Sequence, residues 1–268
     1  MKKPFALLAP AAMALALALS ACGGGTPAPT PTPPPVESVP PTSTAVPETA
    51  PAQTAEAPVW GEQAYDQLFQ AGDGALVMTV SYVLPEIENE GCPAAQAVNA
   101  WYAAKAQEFL DAAAGTAAWG EGDYETAIKV GYDFFPFVEE LSFEITRETG
   151  DYVSVCREFY ANNGGPHPNT YRFSEQFDLK DGRQLLFADF FPDQEAARDR
   201  IVAAIQADPF TVEYGLADQA AELFQAEHFY LTDEGFVFWY QTGDLMPQGT
   251  PVEYTIPYET LSDLVALW

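Results

Sequence analysis

Between Thr26 and Pro58 the chain carries eleven of its 23 prolines, separated mainly by Thr, Ala, Val and Glu. Each proline fixes φ and withdraws a backbone donor. The stretch has too little apolar surface to offset the entropy of ordering, so it is expected to stay extended, largely as polyproline II. At about 3.1 Å per residue it would reach on the order of 100 Å, enough for a stalk. Any globular fold is thereby confined to residues 59–268, a length that fits one large domain or two small ones.

The residues ahead of the stalk have the organisation of an export signal. Lys2 and Lys3 precede an apolar run from Phe5 to Leu19, which ends in small residues before Cys22. The run is short for a membrane span, which takes roughly 20 apolar residues. Leu19-Ser20-Ala21-Cys22 is similar to the bacterial lipobox. That similarity implies cleavage after Ala21, acylation of Cys22, and attachment of the chain to the bilayer through two or more acyl chains. The alternative is an ordinary secretory signal with an unrelated cysteine. The expected divisions are a signal over 1–21, a lipidated cysteine and disordered linker over 22–58, and a folded part outside the cytoplasm. A stalk of this length favours a Gram-positive surface, with an outer-membrane anchor as the alternative.

The formal charge is −28, and loss of Lys2 and Lys3 with the signal takes it to −30. Nucleic-acid binding requires a basic footprint that this chain lacks. An acidic surface attracts cationic partners and speeds their encounter; it also simply keeps a domain soluble.

With Cys22 assigned to lipid, Cys92 and Cys156 remain, and outside the cytoplasm such a pair is a disulfide candidate. A bond between them would stabilise the fold by about 2–4 kcal/mol; the alternative is two buried thiols. No metal site is expected, because His167 and His228 are not spaced with cysteines in a zinc pattern. No cofactor motif is present either.

Hydrophobic periodicity predicts a strand over 75–83, a turn over 85–93, and a helix from Pro93 to about Ala114 with Val98, Tyr102, Ala106 and Phe109 on one face. Strands are expected over 124–134, 141–146 and 152–160, forming an antiparallel meander against that helix. After a turn-rich loop, strands follow over 170–178 and 184–187. Asp193 is then a plausible N-cap for a helix bearing Ala197, Ile201 and Ile205. A second helical stretch covers 217–225, a hairpin turns at Asp233-Glu234-Gly235, a strand covers 252–256, and a short helix closes the chain over 258–267. The order implies an α+β fold with antiparallel sheets packed against helices, in two closely associated subdomains over 59–160 and 161–268.

Several spaced motifs carry a family resemblance. They are Tyr160 followed by Gly164-Gly165, His167 and Asn169; Phe177-Asp178-Leu179 with Gly182 and Leu185; Asp189 with Phe191; Phe229 to Gly235; and Ile256-Pro257-Tyr258 with Leu261. Together they resemble the extracytoplasmic domain family shared by the lysozyme-sensing anti-sigma factor RsiV and the peptidoglycan deacetylase PdaC. Residues 75–160 look like the companion N-terminal subdomain. In the anti-sigma member, loops of this domain grip lysozyme. The resemblance therefore implies ligand-binding candidates at Gly164, Gly165, His167 and Asn169 in one loop, and at Met246, Pro247 and Gly249 in another.

This chain departs from the family in two places. Prolines flank His167 on both sides, and the second loop lacks the family's tyrosine. No counterpart of the deacetylase's catalytic domain or of the anti-sigma factor's cytoplasmic segment is expected, so neither activity is expected to carry over.

The leading expectation is a non-catalytic binding protein for lysozyme or another cationic wall-directed protein. The second is a module for peptidoglycan or another glycan, with Trp119, Trp239 and Tyr240 as stacking candidates, although aromatics in strands and helices more often belong to the core. A hydrolase is the third, resting on His167 as a general base. No nucleophile motif accompanies that histidine, so its expected role is to brace a turn through the backbone. If the 164–169 and 243–249 loops share a face, they define one binding surface.

Overall fold

A computed structural model describes residues 55–268 apart from Pro166, Gln248 and Trp268. The signal, Cys22 and the linker as far as residue 54 lie outside the described residues. The central feature is a six-stranded sheet in sequence order: β1 (Trp60–Gln70), β2 (Leu76–Ile87), β3 (Phe137–Glu148), β4 (Tyr152–Asn162), β5 (Asn169–Asp178) and β6 (Gln184–Leu185). Only β2 and β3 are parallel. Parallel neighbours need a long crossover, and α1 (Ala95–Val130) is that connection.

α1 lies on the sheet through a stripe of Val98, Tyr102, Ala106, Ala113, Ala117 and Gly120, all buried at helical spacing. It ends at Gly131, whose φ of 77° closes the helix with a left-handed residue. The helix thus runs sixteen residues beyond the expected end at Ala114, and residues expected as a strand over 124–134 form its last turns and a loop. Gly115, Gly120 and Gly122 lie within this added stretch, where helix propensity alone is poor. Gly120 instead lets the helix approach the sheet, since a Cβ there would lie 3.1 Å from Phe137 and 3.4 Å from the Val77 carbonyl oxygen. β2 also passes through Pro85, where a turn was expected. β3 pairs with β2 only over Met78–Tyr82, so no ladder bond is required of Pro85 from that side.

The second layer is an antiparallel sheet of β7 (Phe229–Leu231), β8 (Gly235–Tyr240) and β9 (Val252–Pro257). Five helices accompany it: α2 (Phe187–Phe190), α3 (Gln194–Ala207), α4 (Pro209–Tyr214), α5 (Ala217–Leu223) and α6 (Tyr258–Leu261). Asp193 caps α3 as expected, accepting a bond from the Ala196 N–H at 3.0 Å. The β7–β8 hairpin turns where expected, and only glycine fits position 235, because a Cβ would lie 2.2 Å from the Ile256 carbonyl oxygen.

Side-chain alternation along β4 explains the layering. Val153 and Val155 join the core beneath α1, whereas Tyr152 and Cys156 contact the second sheet and its helices. Polar bonds stitch that interface. The Leu231 N–H donates to Ser154 Oγ at 2.9 Å, and Gln176 Nε2 and an Arg147 guanidinium nitrogen donate to the carbonyls of Phe229 and Thr232, each at 2.9 Å. The fold is α+β with two large hydrophobic cores and a small third cluster of Cys156, Tyr230, Val237 and Trp239. The boundary expected after residue 160 falls within β4, and the sheet continues across it into β5.

The candidate disulfide is not formed. Cys92 and Cys156 are both free and buried. Cys92 belongs to the core beneath α1, while Cys156 points through the opposite face of the sheet toward Tyr230, Val237 and Trp239. The two thiols thus sit in different clusters on opposite faces of the sheet, a placement unsuited to a disulfide.

Candidate functional site

Three loops converge at the end of the central sheet where β4 stops and β5 begins. The first, residues 163–168, contains Gly164 in a left-handed conformation (φ 78°), and a Cβ there would lie 3.0 Å from the Phe137 ring. The second is residues 131–136 between α1 and β3. The third is the β8–β9 connection. Its Gln241 side chain binds the β5 backbone like a short strand, accepting from the Arg172 N–H at 3.0 Å and donating to the Arg172 carbonyl at 2.8 Å. Thr242 Oγ1 adds bonds to the carbonyls of Thr170 and Gly249. Thr242 thus links Gly249 of this connection to the start of β5, just beyond the 163–168 loop.

Their individual residues differ in what they can do. Gly164, Gly165, His167, Asn169, Pro247 and Gly249 are exposed, and Met246 is half-buried. His167 is exposed in the 163–168 loop. Among the glycan-stacking candidates, Trp239 and Tyr240 are core residues, while Trp119 is 55% exposed with its edge against Phe137.

The strongest surface feature lies on the loop that sequence reading assigned to a strand. Tyr132 and Phe135 are 76% and 77% exposed, and Ile128 and Val130 at the end of α1 are exposed beside them. An open cavity of about 490 Å³ is lined by Val130, Tyr132, Phe134, Phe135 and Gly164, with Asp123 and Asp133 at its walls. Phe134 packs edge-on against Tyr124, holding the loop to the helix. Tyr124 in turn donates to Asp73 at 2.7 Å, which draws the Asp73 carboxyl below its ordinary range and ties the β1–β2 turn to α1. The usable signal in the sequence was Gly131 and Pro136 bracketing Tyr132-Asp133-Phe134-Phe135, a segment without β-branched residues.

The geometry provides apolar and aromatic contact surface rimmed by carboxylates. Among the described residues no group of three or more His, Cys, Asp or Glu is placed to hold a metal. Burial pushes the Cys156 thiol up to about 12, so it stays protonated at neutral pH. No described helix is long and apolar enough to cross a membrane.

No family model and no curated protein sequence matches the chain. Solved structures do. A DUF3298 family member from Bacteroides fragilis superposes with a TM-score of 0.59 at 18% identity, covering 80% of this chain and 95% of its own. The chain has the fold of DUF3298 proteins. A second DUF3298 protein, from Pseudomonas aeruginosa, gives a TM-score of 0.51 at 18% identity, covering 79% of this chain and 95% of its own. DUF3298 denotes a domain of unknown function, so the likeness speaks to architecture alone. Several motif residues serve that architecture: Phe177 is fully buried, Gly182 packs against Ala94 and Ala97, and Tyr258 donates to the Thr232 carbonyl at 2.6 Å.

Proposed function

We propose that this chain is a lipid-anchored, non-catalytic binding protein held outside the cytoplasm, whose aromatic end face takes a cationic protein such as lysozyme. The observation that carries the reading is the pair Tyr132 and Phe135, each about three-quarters exposed beside an open cavity with aspartates in its walls. Exposed clusters of this kind mark interaction sites, and the surplus of carboxylates favours a basic partner. The signal-like leader and Cys22 support attachment to the bilayer; acylation is tested by membrane release of Cys22→Ser.

Titration with lysozyme at moderate salt tests the ligand. Tyr132→Ala with Phe135→Ala should weaken binding at least tenfold, of the order of 1.4 kcal/mol, and leave Tm unchanged because neither ring is buried. Absence of binding at high micromolar lysozyme would remove that ligand from consideration.

A second reading, a module for peptidoglycan or another glycan, draws on Trp119, Tyr132 and Phe135 as exposed rings able to stack on sugars. Co-sedimentation with purified cell wall, insensitive to added salt, would favour it over a cationic protein.

A further inference from the structure

The two edges of the central sheet are treated differently. On one side β6 pairs with Gln176 and Phe177, and the Gln241 amide takes both backbone groups of Arg172. On the other side β1 has β2 as its neighbour and, among the described residues, no strand beyond it. An exposed edge is a template for further pairing, and proteins commonly blunt it with proline, lysine, bulges or short strands. β1 is 11 residues long and contains neither proline nor lysine, and its register with β2 shifts only near its end, between Phe69 and Gln70.

The hydrogen-bond phase of this edge follows from one bond. The Glu88 N–H donates to the Val59 carbonyl at 2.8 Å, and the pairing continues in step from Trp60 opposite Ile87. Bonded and non-bonded pairs alternate along an antiparallel ladder. Gly61, Gln63, Tyr65 and Gln67 therefore bond to β2, while Glu62, Ala64, Asp66 and Leu68 turn their N–H and C=O groups outward. The side chains of these four are exposed, on the sheet face turned away from α1.

Charge identifies the partner. Every charged residue from 55 to 104 is Asp or Glu, and Lys105 is the first cation after residue 54. Asp66, Ser81 and the exposed Glu140 lie in one row across β1, β2 and β3, and Ser81 Oγ donates to Asp66 at 2.8 Å. A second copy of this chain would bring a like set of carboxylates to the same edge. An extended basic segment would instead set its cations beside Glu62 and Asp66.

We propose that the outer edge of β1 accepts an extended basic segment of a partner protein as a seventh strand. Backbone bonds supply the pairing, and alternate side chains supply the selectivity: Lys or Arg beside Glu62 and Asp66, and an aliphatic side chain against Leu68. This surface is separate from the aromatic end face and does not depend on it.

The test uses the full chain and a ten-residue peptide of alternating Lys and Val, with a fully N-methylated peptide of the same sequence and charge as control. The parent peptide should bind at least tenfold more tightly than the control. Ala64→Pro removes an outward N–H and no bond to β2, and should lower affinity at least tenfold with little change in Tm. Glu62→Lys with Asp66→Lys should do the same without altering the backbone. Tyr132→Ala with Phe135→Ala should leave peptide binding intact, and a comparable loss there would overturn the assignment to β1. Equal binding of the two peptides would mean general charge attraction and would also overturn it. So would a concentration-dependent dimer abolished by Ala64→Pro, which would give the edge to a second copy.

Discussion

Arg157 and Glu175 meet beneath α1 with side chains only 3% and 4% exposed. The guanidinium lies 5.5, 5.7 and 5.3 Å from the ring centroids of Trp101, Phe109 and Phe173. Burial pushes the Glu175 carboxyl upward against the opposing pull of Arg157, a sign that this pair is held at some expense. Removing one partner strands the other charge in the core. Arg157→Met should therefore lower unfolding free energy by about 3–5 kcal/mol, and adding Glu175→Leu should restore most of it. Denaturant titration of the two single variants and the double variant measures this coupling. His228 gives a pH dependence of known sign. It stacks on Trp239 with centroids 3.9 Å apart, and burial lowers its pKa from 6.5 despite the raising influence of Asp244 and the Trp239 backbone. The folded state thus disfavours the imidazolium. The contribution is fully present above the unfolded value and is lost as pH falls below about 6.5 toward the folded value. Tm measured from pH 7.5 to 5 should fall more steeply in the natural chain than in His228→Gln.

Two elements show where sequence reading stops. β1 went unrecognised because an edge strand with one face open needs no strict alternation, and Trp60 to Gln70 contains no β-branched residue. α1 was cut short because glycine carries one propensity whatever it packs against. Its three glycines divide sharply in the structure. A Cβ on Gly115 or Gly122 would meet nothing within 4 Å, whereas Gly120 is already crowded by Phe137. Gly115→Ala and Gly122→Ala should each stabilise the protein by about 0.5–1 kcal/mol, and Gly120→Ala should give no such gain. Thermal unfolding of the three variants checks the contrast. The β7–β8 hairpin, α3 with its Asp193 cap, β4 and β5 were all legible, since turn chemistry and alternation agree there. For the candidate site, the two glycine-bearing loops were legible through the family motifs. Tyr132 was not, because the strand expected over 124–134 hid the loop it sits on, and Phe135 lies just beyond that strand. The disulfide failed for a related reason: spacing along the chain does not reveal which face of a sheet a cysteine points through.

At the scale of the whole molecule, charge acts on stability and on binding with opposite signs. Lys180 and Asp151, Arg200 and Asp263, and Arg183 and Asp189 are paired locally. Exposed pairs of this kind add little net stability, and the formal −28, in which every Lys and Arg is already counted, stands as a surplus of carboxylates. Net charge far from zero destabilises a compact state through self-repulsion. Raising NaCl from about 0.01 M to about 1 M shortens the Debye length from about 30 Å to about 3 Å. The repulsion summed over the surface should fade faster than the short-range pairs, so Tm should rise, by about 2–4 °C for each kcal/mol relieved in a chain of this size. The same salt should weaken association with a cationic protein, because its attraction also comes from the long-range field. A Tm that fell with NaCl would show the local pairs outweighing the net charge, and the case for an electrostatically selected partner would fall with it. Affinity held constant across the series, with Tm rising, would assign recognition to Tyr132 and Phe135 alone and leave the carboxylates the role of keeping the domain soluble.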